Sequence, residues 1–269
     1  MECPDPTVNV LIMCSLGFGV SLVIILLIKS TIKTSKQENP DLTAVYFKIL
    51  MSYLQMTALM LSFNLDWPVE MLLFFSYTDT GANSSENIVS FDCFAKEDSF
   101  SLKIIFIALV PIIGAVLALL VWTILGLIKK NLKQFLMNEL VTSIIVIDFL
   151  IHPTITTVMF SVFSCTFLEG TGEYWLLGDL NQQCWDDEHN NIISYIAAPA
   201  LFAWTIGIPT VTAIIIFKNR QNLYAPEIRA KYGFIYNGYN KSNYFWEFVI
   251  VYKKICVISI AVFLASMNV

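Results

Sequence analysis

The sequence has few charged residues and few histidines. Asp, Glu, Lys and Arg make up 14% of its 269 residues, against about 25% in an average soluble domain. Hydrophobic residues make up 57% of the chain. A soluble protein of this size needs more polar surface than these residues provide, so a soluble helical bundle is disfavoured. With a net charge of −5 and no extended basic segment, the chain is not expected to bind nucleic acid, because that function requires a clustered basic surface.

Sequence motifs for catalysis and metal binding are also absent. The chain contains no GxSxG, no HExxH and no phosphate-binding glycine loop, so we expect no enzymatic activity and no cofactor. Neither CxxC nor HxxxH spacing occurs, which disfavours a zinc site, and we predict no bound metal. The two histidines are His152 and His189, and His189 falls in an acidic loop.

Long uncharged stretches dominate the chain instead. A helix needs about 20 apolar residues to cross the hydrocarbon core of a bilayer, and five stretches are that long. We therefore predict an all-α, polytopic transmembrane helix bundle with five complete spans and the start of a sixth. The predicted spans are residues 8–28, 45–65, 104–128, 140–163, 192–217 and the incomplete 255–269.

The last apolar stretch is short. It follows Lys253 and Lys254, and as a helix it would extend about 22 Å at 1.5 Å per residue. The hydrocarbon core is about 30 Å thick, so we predict that the chain is a fragment of a longer polypeptide. The aromatic-rich residues 245–252 suit a helix along the inner membrane interface. They suit equally well the first turns of the sixth span.

Charge is distributed unevenly between the two sides of these spans. Fourteen of the 16 Lys and Arg residues fall on one side, and 15 of the 21 Asp and Glu residues fall on the other. Basic loops resist translocation, so the basic side is predicted to be the inner one and the N-terminus to lie outside. The predicted outer loops are residues 66–103 and 164–191, and the predicted inner loops are 29–44, 129–139 and 218–254.

Four cysteines map to the predicted outer side: Cys3, Cys93, Cys165 and Cys184. The outer compartment is oxidising, so disulfides are expected, but four cysteines allow three pairings. Pairing of Cys165 with Cys184 would close the second outer loop on itself. Cys93 with either of them would join the two outer loops, and Cys3 would otherwise pair with a residue upstream of this chain. Asn83 begins an outer Asn-Ser-Ser sequence and is a candidate for glycosylation.

Asp148 and His152 are the candidate functional residues within the spans. They lie four residues apart, so they share one face of the fourth predicted span. An ionisable group in the membrane costs about 2.5–3.5 kcal/mol or more, and it usually faces a protein interior or a water-filled path. The pair would bind a cation or relay protons; alternatively, His152 satisfies Asp148 locally as a packing contact. Gln55 in the second span is explained by hydrogen bonding between helices.

The segment 232–255 has the composition of a cytosolic elbow before the last span. Gly233 and Gly238 permit tight turns, and its tyrosines suit the headgroup level. Glu247 is expected to pair with a neighbouring lysine. The segment would serve either as an anchor that sets helix position or as a gating linker.

An ordered set of short motifs resembles a known family. The motifs are "YFKILMSYLQ" with "FNLDWP", "FDCF", "HPTITTVMFSVFSCTFLEG", "YWLLGDLNQQC" and "YGFIYNGYNKSNYFWEFVIVYKKI". In this order they resemble the multipass domain that ends large membrane proteins of ciliates, oomycetes and algae, many of which carry cysteine-rich extracellular repeats. That domain is distantly similar to the fungal TRP-like (flavin-carrier-like) membrane family. The resemblance covers nearly all of the chain after residue 44.

The resemblance implies a C-terminal transmembrane domain that continues beyond Val269 and follows an ectodomain. The outer-loop cysteines of the family correspond to Cys93, Cys165 and Cys184. Its Trp-Glu pair and the basic pair after it correspond to Trp246, Glu247, Lys253 and Lys254. The fourth span of the family is usually apolar before its proline, so Asp148 departs from the family pattern.

Two functions follow as expectations. The kinked, proline-containing spans, Asp148 and the TRP-like resemblance favour a channel or transporter. The outer cysteines and the implied ectodomain favour a structural or receptor-like anchor for an extracellular cysteine-rich assembly. In either case the expected partners are the lipid bilayer and other membrane or extracellular chains, with a homo-oligomer possible. The expected location is the plasma or ciliary membrane.

Overall fold

The structure is a computed structural model. It describes residues 43–61 and 99–267 without a break, together with Pro68 and helical residues between 11 and 33, which are continuous from 25 to 33. Cys3, Asn83 and Cys93 lie outside the described residues, so the predictions made for them stay predictions.

Most of the described chain is helical. Six helices follow one another in the continuous parts: α1 (Thr43–Leu61), α2 (Ser99–Ile128), α3 (Leu132–Ser161), α4 (Asp187–Lys218), α5 (Pro226–Tyr236) and α6 (Trp246–Met267). α3 passes through a π-helical turn at Phe135–Glu139, and α4 through two, at Ile193–Ala197 and Leu201–Gly207. A 3₁₀ turn at Lys241–Asn243 precedes α6.

Three of the helices are long and apolar enough to cross a membrane. They are Ser101–Ile128, Leu132–Ser161 and Asp187–Lys218, with mean hydropathies of 3.1, 1.7 and 2.0. These helices overlap the spans predicted at 104–128, 140–163 and 192–217, so the prediction of a helical, multi-pass chain is confirmed for three spans. The larger number of spans is not shown. α1 and α6 are not among the candidates, and much of the predicted span 8–28 lies outside the described residues.

The prediction of an all-α fold is wrong in one place. The predicted outer loop contains a three-stranded antiparallel sheet of β1 (Cys165–Leu168), β2 (Glu173–Leu176) and β3 (Asp179–Gln183), in that order. Cys165 pairs with Leu176 across β1 and β2, and Trp175 pairs with Gln183 across β2 and β3. The β1–β2 turn contains Gly172 at φ 72°, a left-handed conformation that glycine adopts without strain. The sequence did not predict these strands, because they are short and the loop has no long alternation of polar and apolar residues.

α3 lies at the centre of the bundle. It packs against α2, α4, α5 and α6. Its buried residues Ile155 and Met159 form a core with Ile104 of α2 and Ala197 of α4. α2 leaves most of its apolar surface exposed, as expected for a helix that contacts lipid on its outer face.

α6 begins earlier than the predicted sixth span. Its first residue is Trp246, so residues 246–252 form the first turns of this helix. Its 22 residues correspond to about 33 Å at 1.5 Å per residue. Near its far end, Ser164, just before β1, donates a hydrogen bond to the carbonyl of Val262 at 3.3 Å. α6 therefore extends from the end of α5 to the base of the sheet.

Candidate functional site

Lys48 of α1 is buried, with 3% of its surface exposed. Its ammonium donates to the carbonyl oxygens of Phe234 at 3.2 Å and Ile235 at 3.0 Å, and it lies 2.9 Å from a carboxylate oxygen (Oε2) of Glu247. Because the last carbonyls of a helix have no partner within it, a lysine there both satisfies them and complements the helix dipole. An ammonium has three donors, so all three are used by these acceptors.

Glu247, in the first turn of α6, is the carboxylate of this group. Its Oε2 also accepts from the hydroxyl of Tyr239 at 3.0 Å. Burial, together with the Glu247 carboxylate, raises the pKa of Tyr239, which favours the protonated, donating phenol. The second oxygen, Oε1, is buried and has no hydrogen-bond partner. Glu247 is therefore half satisfied, although only 4% of it is exposed.

The elbow before α6 positions Tyr239 and Glu247 against α1. Gly238 has φ 94°, which favours glycine. A Cβ at this position would lie 2.6 Å from Cγ1 of Val45 in α1. Only a glycine permits this close approach, which brings the ring of Tyr239 to 4.8 Å from the Lys48 ammonium in a cation–π contact.

Lys254, about two turns after Glu247 in α6, also connects this helix to α1. Its ammonium donates to Oε1 of Gln55 at 2.7 Å and to the hydroxyl of Ser52 at 3.2 Å, and it lies over the ring of Phe149 at 5.2 Å. The amide of Gln55 donates in turn to the carbonyl of Leu150 in α3 at 3.1 Å. Gln55 thus hydrogen-bonds between helices, as expected. We call Lys48, Ser52, Gln55, Tyr239, Glu247 and Lys254 the charged network.

A cavity of about 240 Å³ lies beside the charged network, between α3, α4, α5 and α6. Most of its wall is apolar, and it includes Ile145, Phe149, Pro209 and Phe248. The ionisable groups that line it are Asp148, His152, Tyr232, Glu247 and Lys254. The cavity therefore places two carboxylates and one ammonium in a mostly apolar environment.

Asp148 and His152 both line this cavity, as expected of residues on one helix face, but the hydrogen bond of His152 goes to another helix and not to Asp148. His152 Nε2 lies 3.3 Å from the carbonyl oxygen of Thr205 in α4; because that oxygen accepts, Nε2 carries a proton in this bond. Oδ1 of Asp148 is buried and has no hydrogen-bond partner. His152 is thus fixed by α4, and Asp148 keeps an unused acceptor.

The four elbow residues singled out by the resemblance have different environments. Glu247 and Lys254 are buried in the charged network, whereas Trp246 is 48% exposed and Lys253 is also exposed. The lysine that pairs with Glu247 is Lys48, far away in the sequence, rather than a neighbour. The available signal was that Lys48 is the one charged residue within the predicted span 45–65, which marks it as a residue needing a partner.

At the opposite end of α6 lies the sheet with a disulfide between Cys165 and Cys184, the pairing that closes the predicted second outer loop on itself. His189 beneath it is fully buried. Its Nδ1 accepts from the backbone N–H of Trp185 at 3.0 Å, and its Nε2 donates to the carbonyl of Val162 at 2.9 Å. We call β1–β3 with this disulfide the disulfide-closed sheet.

Cys165, Cys184 and His189 have their ligating atoms within 4.8 Å of one another. The two sulfur atoms are joined in the disulfide, and thiolate is the form of cysteine that binds metal. Both ring nitrogens of His189 are engaged in hydrogen bonds. This cluster therefore has a structural role in the oxidised protein.

Comparison with known proteins finds a distant, partial similarity. A region of 131 residues is 28% identical to Cysteine repeat modular protein A of Toxoplasma gondii, and it covers 46% of this chain and 4% of that protein. No family model matches the chain, and no solved structure matches it. The chain is thus a multi-pass helical membrane protein with distant, partial similarity to a much longer protein named for its cysteine repeats.

Proposed function

We propose that this chain is part of a channel or transporter and that the cavity lies on its translocation path. The observation that carries the proposal is the Asp148 carboxylate, which lies within a candidate span, lines the cavity and has a buried oxygen without a partner. A buried acceptor without a donor costs about 1–3 kcal/mol. A group retained at such a cost inside the membrane is a candidate for contact with a transported species.

A second candidate function is a membrane anchor for an extracellular cysteine-rich assembly. The observation that favours it is the disulfide-closed sheet, which gives the predicted outer side a covalently closed surface. The similarity to a protein named for cysteine repeats supports it further. An anchor needs no path through the bilayer, so the two functions differ in a measurable property.

Ion flux in proteoliposomes tests the first proposal. Purified chain would be reconstituted in liposomes that contain a potential-sensitive dye, under separate Na⁺, K⁺ and H⁺ gradients. Asp148→Asn keeps the shape of the side chain and removes its charge. If the carboxylate contacts the permeating species, flux falls by about tenfold or more, because hydrogen bonds to charged groups contribute about 1.5–3 kcal/mol.

The matched control is Glu227→Gln, which makes the same change of charge at an exposed position at the start of α5. Its flux should equal that of the unmodified chain. Absence of flux from the unmodified chain under all three gradients, with correct insertion verified by protease protection, would favour the anchor. Equal flux for Asp148→Asn and Glu227→Gln would remove Asp148 from the path.

A further inference from the structure

The cavity lining includes buried polar atoms that have no hydrogen-bond partner. Among the side chains that line it, the buried atoms without a hydrogen-bond partner are Oδ1 of Asp148 and Oε1 of Glu247. Both are carboxylate oxygens, which accept when ionised and do not donate. An occupant that satisfies these atoms would therefore have to bring hydrogen-bond donors.

The lysines nearby are already engaged with the protein. The Lys48 ammonium has three acceptors, two backbone carbonyls and Oε2 of Glu247. The Lys254 ammonium donates to Gln55 and Ser52. Oδ1 of Asp148 and Oε1 of Glu247 have no hydrogen-bond partner, so neither lysine donates to them. Lys48 lies 2.9 Å from Oε2 of Glu247, and with it the formal charges of Asp148, Glu247, Lys48 and Lys254 sum to zero. The case for an occupant that donates hydrogen bonds therefore rests on the unpartnered acceptor of Asp148 and not on an excess of negative charge.

The apolar wall argues against a bare inorganic cation as the occupant. Hard cations in proteins are surrounded by about six oxygen ligands, whereas most of the residues that line this cavity are Ile, Val, Phe and Pro. A hydrocarbon group gains free energy by leaving water for such a wall. The ring of Phe149, which lines the cavity, makes a cation–π contact with the Lys254 ammonium, which lies 5.2 Å from the ring centroid.

The size of the cavity limits the occupant to a small molecule. Its volume of about 240 Å³ lies below the roughly 300–1,000 Å³ of sites for drug-sized ligands. A water molecule has a share of about 30 Å³ of liquid volume, so the cavity holds much more than one water. A molecule with one charged amine and a single ring or short alkyl chain fits these dimensions.

We infer that the cavity binds a small organic ammonium, whose N–H groups donate to the Asp148 carboxylate and whose hydrocarbon part packs between α3, α4 and α6. This inference rests on the proposed function in that it names the class of substrate. The same primary ammonium chemistry occurs in free amines and in the headgroup of phosphatidylethanolamine, so the test separates these two sources.

Binding to the full chain in nanodiscs of phosphatidylcholine tests the inference by isothermal titration calorimetry. The probe is phenethylamine, which is cationic at neutral pH, and its neutral counterpart is 2-phenylethanol. We expect saturable binding of the amine and at least tenfold weaker binding of the alcohol, a difference of about 1.4 kcal/mol. Equal affinities, or no saturable binding of phenethylamine up to millimolar concentration, would overturn the inference.

Two variants locate the site. Asp148→Asn removes one acceptor charge, and Val251→Phe places a ring in the cavity wall while leaving both carboxylates; each should weaken amine binding at least about tenfold. Glu227→Gln should bind as the unmodified chain does. Since Val251→Phe could fail to fold, each variant is accepted only if it elutes as the unmodified chain by size exclusion. Unchanged amine affinity in a folded Asp148→Asn variant would overturn the inference by itself.

Further experiments distinguish a free amine from a lipid headgroup as the ligand, and distinguish failure of the inferred substrate class from failure of the proposed transport. Adding phosphatidylethanolamine to the nanodiscs should leave phenethylamine affinity unchanged if free amines are the ligands, and should lower it if the lipid headgroup occupies the cavity. Competition by Na⁺ or K⁺ at equal ionic strength would identify an inorganic cation site and overturn the inference. Amine binding without flux of phenethylamine or of the three inorganic cations would refute only the proposed transport, and flux of an inorganic cation without amine binding would refute only the inferred substrate class.

Discussion

The two ends of α6 contact regions that are held together in opposite ways. At its start, the charged network joins residues about 200 positions apart, such as Lys254 and Gln55, which are 199 residues apart. Towards its other end, the disulfide-closed sheet joins residues close in sequence, with Cys165 and Cys184 separated by 19. One region is non-covalent and non-local, and the other is covalent and local.

The difference shows where each region obtains its stability. A buried ion pair contributes little net free energy, because desolvation opposes the Coulombic gain, but it is costly to break. A disulfide acts mainly on the unfolded chain, whose entropy it reduces. We therefore expect substitutions in the charged network to destabilise α1, α5 and α6 together. Substitutions in the disulfide-closed sheet should destabilise only the sheet.

Removal of the Lys48 ammonium should have the largest effect. Lys48→Met leaves a buried carboxylate at Glu247 and two carbonyls at the end of α5 without their donor. The expected loss is about 3–5 kcal/mol of unfolding free energy, measured by thermal unfolding in detergent. The double variant Lys48→Met, Glu247→Leu should recover part of it, because no charge is then left unpaired. The exposed Lys253→Met serves as the control, and an equal loss for both lysines would contradict the role given to Lys48.

Removal of the disulfide should have a smaller and local effect. Cys165→Ser with Cys184→Ser should cost about 3 kcal/mol, the order expected for a loop of this length. Hydrogen exchange should then rise in β1–β3 and remain unchanged in α5 and at the start of α6. Faster exchange at the Lys48 end of the bundle would show that the two regions are coupled.

A methyl group at Gly238 should loosen the packing of the elbow against α1. Gly238→Ala adds a Cβ at positive φ and within 2.6 Å of Val45. The backbone conformation alone costs about 1–2 kcal/mol. Val45→Ala in the same chain should relieve only the steric part, as measured by a double-mutant cycle of thermal stabilities. Additive effects of the two substitutions would show that they do not contact.

Loss of the Tyr236 hydroxyl should have the smallest effect. This hydroxyl donates to the carbonyl of Leu223, a local bond on the same side as the charged network. Burial raises the pKa of Tyr236 above its ordinary value, so the phenol is protonated and can donate at neutral pH. Tyr236→Phe should cost about 1 kcal/mol in the same unfolding assay. If Tyr236→Phe lowered the unfolding free energy as much as Lys48→Met, this local hydrogen bond would stabilise the α5 region as strongly as the contacts of Lys48 do.

The sequence predicted part of the candidate site. A spacing of four placed Asp148 and His152 on one helix face, and both line the cavity. It did not predict that His152 would be held by Thr205 of α4, since a helical period describes one helix and not the neighbour it meets. Lys48 and Glu247 were not paired either, because their contact depends on how α1 packs against α5 and α6.

The sequence by itself determined that the chain is a helical, multi-pass membrane protein, because length and hydropathy are local properties of each segment. Only the tertiary structure decided that α6 starts at Trp246, that a sheet forms in the predicted outer loop, and that two carboxylates face one cavity. These features depend on contacts between distant segments. A charge buried in an apolar environment needs a hydrogen-bonded or oppositely charged partner. Here that partner comes from a segment distant in the sequence, so only the packing of the helices identifies it.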